Sequence, residues 1–174
     1  MTKIDTTIDP LKLNSLALGL RSEETFRKIA LHKGFSCESS KKEENMHDHI
    51  DYFLSFGDRS FSVDVKSLKR ISRRSDSFNL DWVVVELKNV LGNKGWLYGK
   101  ADVIAFERKF DFLLVGRNFL KDFVECLNIN PKLVSSPELA KYRLYQRKGR
   151  KDLITYIKSS DLLKIKGIKV WKKI

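Results

Sequence analysis

Three residues of this sequence, Asp51, Asp64 and Lys66, have types and spacing that could do chemistry. Ile50, Tyr52, Leu54 and Phe56 alternate with Asp51, Phe53 and Ser55. After Gly57-Asp58-Arg59-Ser60, Phe61, Val63 and Val65 alternate with Ser62, Asp64 and Lys66. Alternation on both sides of a glycine-bearing turn predicts a β-hairpin. A four-residue turn would pair Phe56 with Phe61, setting Asp51 opposite Lys66 and Phe53 opposite Asp64. The period of two then brings Asp51, Asp64 and Lys66 out on one face. Two carboxylates a few ångströms apart repel each other unless a divalent cation sits between them. A lysine beside them can orient a water and stabilise negative charge growing on phosphorus. Phosphodiester hydrolysis needs those parts. Acid and lysine alternating on a strand also describes an ordinary solvated face. What favours chemistry is the company: the hairpin joins the two acids, a helix begun by glutamates precedes it, and a basic loop follows it.

The charge balance points the same way. The chain of 174 residues carries a formal net charge of +12 with a pI near 9.7. From Lys141 to Ile174 there are twelve Lys/Arg against two acids, Asp152 and Asp161, a net of +10. Lys66, Lys69, Arg70, Arg73 and Arg74 form a second cluster within nine residues. Such asymmetry suits a polyanion, because each neutralised phosphate releases condensed counterions. The alternative is a basic face kept for solubility. A membrane surface is disfavoured because no amphipathic membrane helix accompanies the charge. No apolar run is long enough to span a bilayer, and Met1 to Pro10 does not read as a secretion signal. Cys37 and Cys126 lie far apart with no histidine–cysteine cluster, as reduced thiols of an intracellular protein would.

The elements that must position these residues suggest an α/β or α+β chain with a mixed sheet. Residues 1–21 are expected as a lead-in. A helix is expected from Ser22, with Ser22 as cap, Glu23 and Glu24 at the positive end of its dipole, and Gly34 closing it. Phe26, Ile29 and Ala30 give its buried stripe. A short strand over Gly34 to Ser39 precedes the hairpin, and Lys69 to Asp76 reads as a loop. Strands are predicted at Trp82 to Lys88, Ala101 to Glu107 and Phe110 to Val115, and a helix from Asn118 to Leu127. These form a core over residues 22–127. Residues 128–174 are expected as a basic extension packed on it, with Leu153 to Ile157 as an edge strand.

These pieces resemble the PD-(D/E)xK nuclease superfamily, which includes many restriction enzymes, Holliday junction resolvases of the archaeal type, and phage nucleases. The resemblance covers roughly residues 22–117. It rests on the helix ending Lys33-Gly34-Phe35, on His47-Asp48-His49-Ile50-Asp51 and on Val63-Asp64-Val65-Lys66. It continues through the strand at Trp82 to Asn89 and through Gly95-Trp96-Leu97-Tyr98-Gly99-Lys100-Ala101-Asp102. From Glu86 onward the residues look like small phage-type members. The resemblance implies a restriction-endonuclease-like αβββαβ core. It makes Asp51 and Asp64 the ligands of Mg²⁺ (Mn²⁺ as substitute), the backbone carbonyl of Val65 a further ligand, and Lys66 the catalytic lysine. Ile50 stands where the family often has proline. A helix glutamate is frequently added, and Glu23, on the sheet-packing face with Phe26 and Ala30, fits better than Glu24. DNA is the implied partner, with branched DNA as a candidate substrate and a homodimer by analogy, in a bacterial or phage-infected cytoplasm.

Other readings stay open beside it. Glu86-Leu87-Lys88 is a rival acid-x-lysine, with Asp64 as its upstream acid; in the hairpin register Glu86 would still face the site or form an ion pair. His47 and His49 could assist proton transfer or bind a transition metal. Gly92, Gly95 and Gly99 lack the following Lys-Ser/Thr of a phosphate-binding loop. Lys100 could touch phosphate. Around Gly149, Arg143, Arg147, Lys148 and Arg150 concentrate donors for a backbone clamp that positions a strand without reading its bases. An RNA endonuclease of the same fold and a non-catalytic DNA-binding protein are the competing functions.

Overall fold

The computed structural model of the protein describes residues 10–70 and 78–174, with side-chain environments from Ser15 onward. In chain order the main elements are α1 (Pro10–His32), β1 (Ser36–Ser39), β2 (Tyr52–Phe56), β3 (Arg59–Lys66) and β4 (Trp82–Lys88). They continue with β5 (Val103–Glu107), β6 (Asp111–Gly116), α2 (Arg117–Cys126), β7 (Leu133–Val134), β8 (Leu144–Tyr145), β9 (Leu153–Lys158), α3 (Ser159–Leu162) and β10 (Lys169–Lys172). The result is a mixed α/β fold with two sheets of mixed strand orientation. Among the described residues no helix is long and apolar enough to cross a membrane.

The first helix starts at Pro10, not at Ser22. Proline suits a first helical position because its missing N–H would be unpaired there anyway. The leucine-, lysine- and alanine-containing stretch after it propagates the helix. Ser22 is therefore interior and buried, not a cap, and the division expected between residues 21 and 22 falls inside α1. Phe26, Ile29 and Ala30 do form its buried stripe. Gly34 ends it at φ +84°, where the Phe35 N–H returns to the Ala30 carbonyl.

The first sheet has the order β1-β2-β3-β5-β6-β10. All neighbours are antiparallel except β3 and β5, which run parallel. The second sheet has the order β4-β9-β8-β7. The crossover from β3 to β5, where the αβββαβ order implies a helix, runs through β4 and a short 3₁₀ turn, Trp96–Tyr98. Residues 128–174 supply β7 to β10 and so complete both sheets. Leu153 to Ile157, expected at an edge, is instead interior: β9 is flanked by β4 and β8, and its Thr155 is fully buried.

Alternation along β5 and β6 divides the core in two. Ala105, Phe112 and Leu114 face α1, packing with Phe26, Leu54, Val63 and Trp171. Ile104, Phe106, Leu113 and Val115 face the second sheet and α2, packing with Val85, Leu97, Leu120 and Ile157. Burial on both faces explains why β5 and β6 read as nearly continuous apolar runs.

Candidate active site

The hairpin turns on two residues. Phe56 pairs with Arg59, Tyr52 pairs with Val63, and Gly57 takes φ +57° between the strands. Glycine in the first position of a two-residue turn permits the backbone that matches strand twist, so the four-residue turn expected from sequence gives way to a tighter one. The register thus moves by two. Asp51, one step beyond Tyr52, comes opposite Asp64 instead of Lys66, and its N–H donates to the Val63 carbonyl at 2.8 Å. A slip of two preserves side-chain parity where a slip of one would invert it. Asp64 and Lys66 lie level with Ile104 and Phe106 of the neighbouring parallel strand, on the face turned to the second sheet.

Asp51 is held from both sides. The Val65 N–H donates to its Oδ2 at 2.6 Å, and Asn45 Nδ2 donates to its Oδ1 at 2.6 Å. Burial, and then the Asp64 charge, push the Asp51 carboxyl up to about 6 in spite of these donors and of Lys66. Asp64 is 2% exposed. Burial raises its pKa as well, while Lys66, with Nζ 2.7 Å from Oδ1, pulls the other way. Asp64 Oδ2 is buried and accepts no hydrogen bond from the described residues. Lys66 Nζ also lies 5.1 Å from the centre of the Trp96 ring.

Glu23 and Glu24 part company on α1. Glu23 is half-buried, its carboxyl pushed up by burial and by Asp51 and drawn down by Lys66. Glu24 pairs at 3.9 Å with Arg27 and Lys28 on the solvent side. Glu86 belongs to the second sheet, and β4 does not pair with β3. Its carboxyl nevertheless faces the site. Burial raises its pKa, and Lys66, the Trp96 N–H and Arg147 lower it. His49 is half-buried in the left-handed region at φ 55°, and burial and then Lys66 push its imidazole pKa down. His47 is exposed.

A cleft of about 940 Å³, with residues of both sheets in its wall, is bordered by Lys66, Lys69, Arg70, Glu86, Arg147 and Lys148, with Arg150 beside them. Surrounding protein lowers the Lys69 pKa, and the Lys66 charge adds to this, although its side chain still reaches solvent. Lys100 and Arg143 lie outside the cleft lining; Lys100 pairs with Asp48 at 2.9 Å and ties down the chain entering β2. Arg73 and Arg74 lie outside the described residues. Sequence reasoning missed Asn45 and Asp152. Asp152 is fully buried and holds Arg147 Nε at 2.5 Å. Its signal was its isolation, an acid set alone among the cations from Lys141 to Lys158. Asn45 carried no comparable signal.

Among the described residues no group of three or more His, Cys, Asp or Glu side chains forms a ready-made metal site. Two opposed carboxylates, one with a buried and unpaired oxygen, still suit a hard cation. Mg²⁺ is commonly held by one or two carboxylates plus water and substrate phosphate. No protein-family model, curated protein or solved structure matches this chain.

Proposed function

We propose that the protein is a metal-dependent endonuclease that hydrolyses DNA phosphodiester bonds on a PD-(D/E)xK-type scaffold. The observation that carries this reading is the apposition of Asp51 and Asp64 across the hairpin, with Lys66 joining them to a cationic cleft. The antiparallel meander of β1, β2 and β3, backed by α1, supports the restriction-endonuclease-like core as its frame.

Asp51 and Asp64 would hold the divalent cation, which supplies positive charge to polarise the phosphate and to make a bound water more acidic. The carbonyl of Val65 would be a further oxygen ligand. A cation at Asp64 competes with the Lys66 ammonium for the same carboxylate. Lys66, relieved of neutralising Asp64, would turn its donors to the attacking water or to charge developing on the phosphoryl oxygens. Glu23, within electrostatic reach of Asp51, would receive a proton or hold a water. Lys69 and Arg147 on the cleft walls would hold flanking phosphates, and Glu86 keeps cation charge near Lys66 in balance. Asp152 positions Arg147 through their ion pair.

The test is cleavage of plasmid, linear, single-stranded and four-way-junction DNA with Mg²⁺ or Mn²⁺, with Asp64→Ala and Lys66→Ala beside the wild type. Metal-dependent cutting by the wild type, and binding without cutting by both variants, is the expected result. A wild type that binds all four and cuts none, with either metal, removes the DNA endonuclease reading.

A further inference from the structure

Besides its cations, the cleft has an aromatic lining. Trp82 of β4, Tyr145 of β8 and Tyr156 of β9 border it, all three half-buried and all on strands of one sheet. Tyr142 braces the Trp82 ring edge-on at 5.5 Å between centroids, and Lys141 Nζ lies 4.9 Å from its centre. Tyr156 is within electrostatic reach of Tyr145 and Arg147. The three aromatic side chains and the cations Lys69, Arg147 and Lys148 therefore border one concave surface.

That combination discriminates between forms of nucleic acid. In a duplex the faces of each base are covered by its neighbours, and a wall meets sugar and phosphate, so aromatic side chains find nothing to stack on. An unpaired strand offers both phosphates and free ring faces. The cleft volume of about 940 Å³ falls within the roughly 300–1,000 Å³ of small-ligand pockets. That space suits a few nucleotides of one strand. We propose that this cleft takes an unpaired DNA strand, with bases stacked on Trp82, Tyr145 and Tyr156 and phosphates held by Lys69, Arg147 and Lys148. The choice of DNA rests on the nuclease reading above; the preference for an unpaired strand follows from the cleft itself.

Fluorescence anisotropy tests it, with labelled oligothymidylate, alone or annealed to oligodeoxyadenylate, titrated with the full chain in EDTA at fixed salt. The single strand should bind at least tenfold more tightly than the duplex. Tyr145→Leu and Tyr156→Leu should each lower single-strand affinity about tenfold, ~1.4 kcal/mol, and leave duplex affinity within twofold. Tyr145→Phe and Tyr156→Phe keep the rings and should bind as the wild type does. Equal or tighter binding of the duplex overturns the inference. So do folded Leu variants, with wild-type melting curves, that bind the single strand unimpaired. Tighter binding of oligouridylate overturns it in favour of RNA. Cleavage then separates the two readings. Cutting of duplex as fast as single strand in Mg²⁺ sinks this inference and keeps the nuclease; single-strand preference without any cutting keeps this inference and sinks the nuclease.

Discussion

Replacing Asp51 with asparagine should make the metal-free protein more stable at neutral pH, although it removes a residue assigned to the site. The Asp51 carboxyl moves from an ordinary 3.8 to about 6 in the folded chain. Folding therefore takes up a proton between about pH 4 and 6, so stability falls as pH rises through that window. That difference of about 2 corresponds to about 3 kcal/mol at pH 8, at about 1.4 kcal/mol for each pH unit. Asparagine keeps the shape and removes the charge. Its Oδ1 can accept from the Val65 N–H, and Asn45 can turn its amide to accept from the new NH₂. Chemical denaturation in EDTA should show Asp51→Asn gaining roughly 2–3 kcal/mol over wild type at pH 8, the gain fading by about pH 4. Excess Mg²⁺ should stabilise the wild type and leave the variant nearly unmoved, because a ligand that binds only the folded state adds to its stability. A variant destabilised equally at pH 4 and pH 8 would refute the electrostatic account of this pair. One that responds to Mg²⁺ as the wild type does would refute Asp51 as a ligand.

Three further outcomes follow from the same geometry. Lys66→Met leaves Asp64 buried without its paired ammonium; it should cost about 3 kcal/mol at pH 8, recover part of that at acid pH as Asp64 takes a proton, and lower cleavage at least about 100-fold. Denaturation at the two pH values and a timed plasmid assay read these effects. Lys148→Gln with Arg150→Gln removes two exposed cations of the cleft and should reduce the slope of log affinity against log salt by about two, measured by anisotropy. Gly95→Ala would place a Cβ 2.4 Å from the Glu86 carbonyl oxygen, backbone against backbone. It should lower stability by about 2 kcal/mol or more in a melting experiment and disturb the Glu86 wall of the cleft.

What could be read in advance depended on how local its cause was. The hairpin strands, the strand at Trp82–Lys88 and the stripe of Phe26, Ile29 and Ala30 follow from periodicity within a few residues, and the structure has them. The turn was read two residues too long because Asp58-Arg59-Ser60 is polar and looks like loop, whereas Gly57 alone decides its geometry. That error changed which residue faces Asp51 and left intact which residues share its face. The interior position of β9 was not legible, since it depends on pairing with β4 across a long stretch of chain. Nor was the inward turn of Arg147, which depends on its ion pair with a fully buried Asp152.

The division of labour between the sheets bears on how such a site is built. The carboxylates and Lys66 sit on the first sheet, in a hairpin whose contacts are short-range. Glu86, Tyr145, Arg147 and Tyr156 reach the cleft from the second sheet, which exists only when β4 meets the C-terminal strands. The charge on Asp51 and Asp64 is costly because the surrounding protein keeps water away. The same exclusion of water that raises both carboxylate pKa values favours a cation between them. Admitting water to the pair should relax the Asp51 shift and weaken metal binding together, since both come from the same exclusion.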